Sequence, residues 1–215
     1  RRTRWLLAWS QRLADDLAPQ WLLYDSGEHG ESTRLGVNLT RLLSKACVAQ
    51  FEWSGGRVPS LLGRAAGQPE QGLAFRSQLA SGLTCSNAHT QSLTLELQRN
   101  GEALDNAGWQ ALRDGPAPLY LDYRQQAQRR QDPATRYRLL ALAGWQNALV
   151  PQLDLNGFLL WSPADRSHEL WLEARYRMGS TDFAVQLQAN AGDPSSEQGA
   201  IPQRRVLQLL LRQHF

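Results

Sequence analysis

The sequence predicts an α+β fold: a C-terminal antiparallel sheet of four to five strands packed with amphipathic helices, plus a smaller N-terminal helix–strand layer. Three observations predict it. Apolar residues alternate with polar ones in run after run over residues 153–215. Over residues 3–17, apolar residues recur at spacings of four, as on one helix face. A Gly115-Pro116 and Pro118 break separates the two patterns.

The alternation is the firmest signal. Phe183, Val185, Leu187 and Ala189 fall on one side of a strand, and Ala184, Gln186, Gln188 and Asn190 on the other. Leu170, Leu172, Ala174, Tyr176 and Met178 alternate in the same way with Glu169, Trp171, Glu173, Arg175 and Arg177. Strands are expected at about 153–161, 168–178, 182–190 and 204–213, with turn chemistry between them and a long loop over 192–202.

Upstream, Trp5, Trp9, Leu13 and Leu17 predict a helix over 3–17, closed by Pro19. Its charges oppose the helix dipole, with Arg1, Arg2 and Arg4 at one end and Asp15 and Asp16 at the other. Strands follow at 20–24, 33–37, 48–53, 92–98 and 119–123, and 137–145 is read as a further strand. Helices are expected at 39–46, 59–66, 73–83 and 103–112. The composition change places a boundary near 115: a mixed subdomain over 1–115 and a sheet-rich one over 116–215, or one continuous domain.

Composition narrows function only loosely. The chain has 215 residues, a net charge of +3 and 42% apolar residues, the profile of an ordinary globular protein. Such a mild charge does not by itself argue for nucleic acid. Eight tryptophans serve cores or interfaces. Lys45 is the only lysine; the arginine excess reflects either genomic codon bias or planar, bidentate contacts. Cys47 and Cys85 fit one disulfide in an exported protein or two buried thiols in a cytosolic one, and the polar surroundings of Cys85 favour the disulfide. No run reaches the roughly 18–20 apolar residues of a membrane-spanning helix. The chain opens at Arg1, as a processed or trimmed product would, and an arginine cluster before an apolar helix is compatible with an upstream membrane anchor.

No complete catalytic set appears. The loop over residues 25–31 brings Asp25, Glu28 and His29 together, enough for a hydrolase or metal site, although turn chemistry alone explains its composition. Cys85 and His89 lie across a turn with no third group. The basic stretch over 124–138, including Arg129 and Arg130 with flanking tyrosines, is a nucleic-acid alternative. Phe215 ends an alternating strand, as outer-membrane barrel chains often end. That reading is set aside, because a barrel needs many more strands and excludes helices from its wall.

The resulting expectation is a non-catalytic binding or assembly module, a soluble part of a larger bacterial complex in the periplasm or cell envelope, with other protein subunits as partners. It needs no cofactor and no metal. Its contact residues would be Trp171, Arg175 and Arg177 on the polar strand face, with Arg129 and Arg130 as a second patch.

Overall fold

Among the described residues, eleven strands in a single sheet, each hydrogen-bonded to the next in chain order, replace the expected four or five. The structure is a computed structural model that describes residues 3–14, 17–27, 31–69 and 72–214. The strands are β1 (Trp5–Ser10), β2 (Gln20–Asp25), β3 (Arg34–Ser44), β4 (Cys47–Val58), β5 (Ala74–Ser86) and β6 (Gln91–Asn100). They continue as β7 (Tyr137–Trp145), β8 (Leu153–Ser162), β9 (Ser167–Met178), β10 (Thr181–Ala191) and β11 (Arg205–Gln213). Among the described residues, three helices sit in the connections: α1 (Leu61–Ala65) between β4 and β5, and α2 (Asn106–Arg113) and α3 (Ala117–Arg130) between β6 and β7.

The α+β expectation is therefore wrong. The helices expected over 3–17, 39–46 and 73–83 fall on β1, β3 and β5. A spacing of four places residues on one helix face, but four is also twice the two-residue strand repeat. Trp5 and Trp9 accordingly share one face of β1, with Leu7 between them. Leu35, opposite Leu23, and Val37, opposite Trp21, continue that face onto β3.

The reverse error occurs at 119–123, expected as a strand. Those residues lie in α3, where Tyr123 and Ala127 are buried at helical spacing, and the rings of Tyr120 and Tyr123 each lie tilted against Trp109 of α2 at 6.0 Å. Pro116 and Pro118 start this helix, and Gln131 ends it in the left-handed conformation at φ 58°.

By its contacts the chain forms two compact units. The first comprises Arg1–Leu43, Val48–Gly82 and Leu97–Arg138; the second comprises Ser44–Cys47, Leu83–Glu96 and Leu139–Phe215. Among the described residues, the helices fall in the first unit. Within the second unit Cys47 and Cys85 form a disulfide, with Cα atoms 4.1 Å apart. Among the described residues no helix is long and apolar enough to cross a membrane, a statement that does not bear on strands.

Candidate functional site

In the second unit the strand register sorts the side chains into two faces. Successive cross-strand rows on one face read Leu153–Tyr176–Phe183–Leu211, Trp145–Leu155–Ala174–Val185–Leu209, Ala143–Gly157–Leu172–Leu187–Leu207 and Ala141–Leu159–Leu170–Ala189–Arg205. A last row, Leu139–Trp161–His168–Ala191, closes this face. Almost every member is apolar, and most of the large ones are exposed. Leu207, Leu209 and Leu211 are 68%, 77% and 69% exposed, and Leu172, Val185 and Leu187 are exposed as well.

The opposite face carries the polar residues, yet it is the better buried. Glu173 and Asn190 lie there at 6% and 5% exposure. Glu173 Oε2 accepts from Gln186 Nε2 at 2.6 Å and from Arg175 NH2 at 3.1 Å, and Gln188 Nε2 donates to Glu169 Oε1 at 2.9 Å. Arg177 lies 3.5 Å from Asp182, which also meets His214 Nε2 at 3.3 Å. Trp171 stacks on its cross-strand neighbour Phe158 with ring centroids 5.7 Å apart. The three residues expected to form a contact surface do share a face. Each is engaged within the sheet there: Arg175 and Arg177 with carboxylates, Trp171 with Phe158.

The first unit shows the same division. Trp9 pairs with Trp21 and Leu7 with Leu23 on an exposed apolar face, while Gln20 with Asn38 and Tyr24 with Arg34 lie on the other. Onto that polar side fold the two helical connections. Glu31 and Glu102 are buried to 1% side-chain exposure and are shared by three arginines. Arg34 NH2 lies 3.2 Å from Glu31 Oε1 and 2.9 Å from Glu102 Oε1, and Arg64 joins Glu31. Arg130 approaches both carboxylates at 3.5 Å while its Nε donates to Asp132 at 3.0 Å. The contacts to Glu102 are ionic rather than well-aligned hydrogen bonds. Gln78 of β5 reaches Asp132 at 3.2 Å, and Arg76 donates to the Gly101 carbonyl at 3.4 Å, so β3 and β5 both anchor the connection after β6.

Burial works to raise the Glu31 pKa. The Ser26 hydroxyl at 2.6 Å and the three guanidinium groups outweigh it, and the carboxyl is held below its ordinary range. A cleft of about 520 Å³ opens on this polar side, lined by Tyr24, Asn38, Glu52, Gln78, Asn100 and Asp132 among others.

The remaining expected sites fall as follows. Asp25 ends β2 and accepts from the Gly27 amide at 2.8 Å, a local turn bond; Glu28 and His29 lie outside the described residues. In the basic stretch, Arg129 is exposed at the end of α3, Arg130 joins the buried cluster and Arg124 lies over the Tyr120 ring. Arg34, Arg64 and Glu102 carried no signal in the sequence, since they lie far apart and only the fold assembles them.

No family model and no curated protein matches this chain. Among solved structures it is similar to Pseudomonas aeruginosa OccK8 (OprE), with 11% identity and a TM-score of 0.52 over 97% of this chain and 56% of that one. It is also similar to Acinetobacter baumannii OccAB1, with 12% identity and a TM-score of 0.54 over 99% of this chain and 58% of that one. The chain thus spans somewhat more than half the length of each, and at such identity the likeness is one of fold.

These findings overturn the expectation of a soluble assembly module built for protein–protein interaction. That expectation required the apolar face to be roofed by helices and the polar face to be offered to a partner. In the structure much of the apolar face is exposed instead. The barrel reading set aside on the sequence also loses its objections: the strands are there, and the helices lie in the connections.

Proposed function

We propose that this chain forms part of the wall of a β-barrel channel in a bacterial outer membrane, with the apolar face against lipid and the polar face along a water-filled passage. The observation that carries the reading is the uncovered apolar face of β7–β11. Burying one large apolar side chain is worth about 1.5–3 kcal/mol, so leaving this many in water is not a stable arrangement. Lipid resolves it.

The dimensions fit. The apolar rows run from Leu153 to Trp161 along β8, about 26 Å at ~3.3 Å per residue. At the strand tilt of ~35–45° found in barrels, that spans roughly 20 Å of membrane, close to the ~25 Å apolar band of such walls. Tyr176 and Phe183 lie near one limit of the band and Trp161 near the other, as aromatic girdles do. The likeness to OccK8 (OprE) and OccAB1, outer-membrane channels, supports the same reading. So does the Cys47–Cys85 disulfide, which suits a chain that folds in an oxidising compartment. The role asks for no catalytic group. The helical connection over 101–136, folded onto the polar side and held by Glu31, Glu102 and the arginines, would restrict what passes.

Reconstitution tests this directly. In planar lipid bilayers the full chain is expected to give discrete ionic conductance steps and to float with liposomes after alkaline washing. Protein that stays in the aqueous fraction and never conducts would defeat the proposal.

A further inference from the structure

The cleft of about 520 Å³ in the first unit falls in the size range of small-molecule sites. Its lining offers acceptors more than donors. Asn38 Nδ2 donates to Gln20 Oε1 at 3.3 Å, and Gln78 Nε2 donates to Asp132 Oδ1 at 3.2 Å. Both amides thus commit their nitrogen to the protein, and their carbonyl oxygens are the ends left over. Asn100 is spent at both ends, its nitrogen on the Pro133 carbonyl and its oxygen on the Glu102 amide.

Charge points the same way. Arg34, Arg64 and Arg130 are matched by three carboxylates, those of Glu31, Glu102 and Asp132. Arg99 borders the cleft, but its NH1 donates to Ser77 Oγ at 3.1 Å. In the alternation of β6, Arg99 also falls with the exposed Leu95 and Leu97, whereas Gln98 falls on the other face. That leaves Glu52. It is exposed in the middle of β4, lines the cleft and meets no hydrogen-bonding or ionic partner among the described residues.

We infer that this cleft binds a protonated amine, with Glu52 as counter-ion and Asn38 Oδ1 and Gln78 Oε1 as further acceptors. An ammonium group carries three donors and no acceptor, so it matches an acceptor-rich lining with one uncompensated negative charge. An anion would meet that charge head-on, and a neutral solute would leave it unanswered. The place of this site on a passage rests on the channel reading above.

Putrescine, butanediol and succinate share a carbon frame and differ in charge, which makes them the probes. Calorimetry at low salt on the full chain in uncharged detergent is expected to detect putrescine and neither of the others. Glu52→Gln keeps the shape and removes the charge, and should weaken putrescine binding about tenfold or more. Glu52→Asp keeps the charge and should bind better than the glutamine variant. Asp122→Asn removes the same charge from an exposed position on α3 outside the cleft and should bind as the wild type does. Failure of the wild type to bind putrescine overturns the inference, as does a preference for succinate. Equal weakening in Glu52→Gln and Asp122→Asn overturns it too, since that would mark diffuse attraction without a site. Conductance of the same samples separates the two readings. Protein that conducts without binding putrescine sinks only the amine site, whereas protein that binds it at Glu52 and never conducts sinks only the channel.

Discussion

Glu31 and Glu102 are each almost wholly buried and each answer to the same three arginines, so neither can be removed without leaving positive charge stranded. Breaking a buried pair by deleting one partner costs about 3–5 kcal/mol. Glu102→Gln is therefore expected to loosen the connection that carries α2 and α3, making its arginines accessible to trypsin while the strands stay intact. Unchanged cleavage would mean that Glu102 does not hold the segment. The same cluster predicts a pH response. Because the Glu31 carboxyl is held below its ordinary value of 4.5, its stabilisation is fully present above that value and is lost as pH falls through the depressed one. Pepsin digestion at decreasing pH should open the 101–136 segment below, not above, the ordinary carboxylate range. Glu31→Gln should remove that pH dependence.

At the scale of the strand, the two faces make opposite demands on the same substitution. Leu187 sits mid-band on the apolar face and Gln186, its neighbour, on the polar one. Leu187→Arg should cost about 2–4 kcal/mol of folding stability in a bilayer, as arginine does near a membrane midplane. Gln186→Arg should cost far less, because it faces polar neighbours. Urea titration of folding into vesicles measures both, and equal costs would contradict the assignment of faces. This face pattern was legible in the sequence over residues 168–190, where the alternation is nearly perfect. Its meaning was not: an apolar stripe looks the same whether helices or lipid cover it. The mean hydropathy of −0.47 hides the stripe altogether, since within these strands apolar and polar positions average out. Trp5 and Trp9 misled for a different reason, their spacing of four satisfying both a helix and a strand. In α3, local apolarity at Leu119–Tyr123 suggested a strand, whereas packing of Tyr120 and Tyr123 against Trp109 decides for helix. The buried charges at Arg34, Arg64 and Glu102 could not be foreseen at all, since their proximity is a product of topology.

For the molecule as a whole, the pairing order has β1 at one end and β11 at the other. Edge strands expose unpaired amides and carbonyls, which water can satisfy but lipid cannot, at a cost of several kcal/mol for each unsatisfied group. On β11 the problem is acute, because Leu207, Leu209 and Leu211 place this strand squarely in the apolar band. A lipid-embedded wall must therefore have both edges paired. Amide hydrogen exchange distinguishes the cases. In vesicles, the amides of β1 and β11 should exchange as slowly as those of β9, which is flanked by β8 and β10. In protein held outside the membrane, the edge amides should exchange much faster than those of β9. Fast exchange of β11 in vesicles that also conduct ions would mean that this strand borders water, and the lipid-facing band would then have to end at β10.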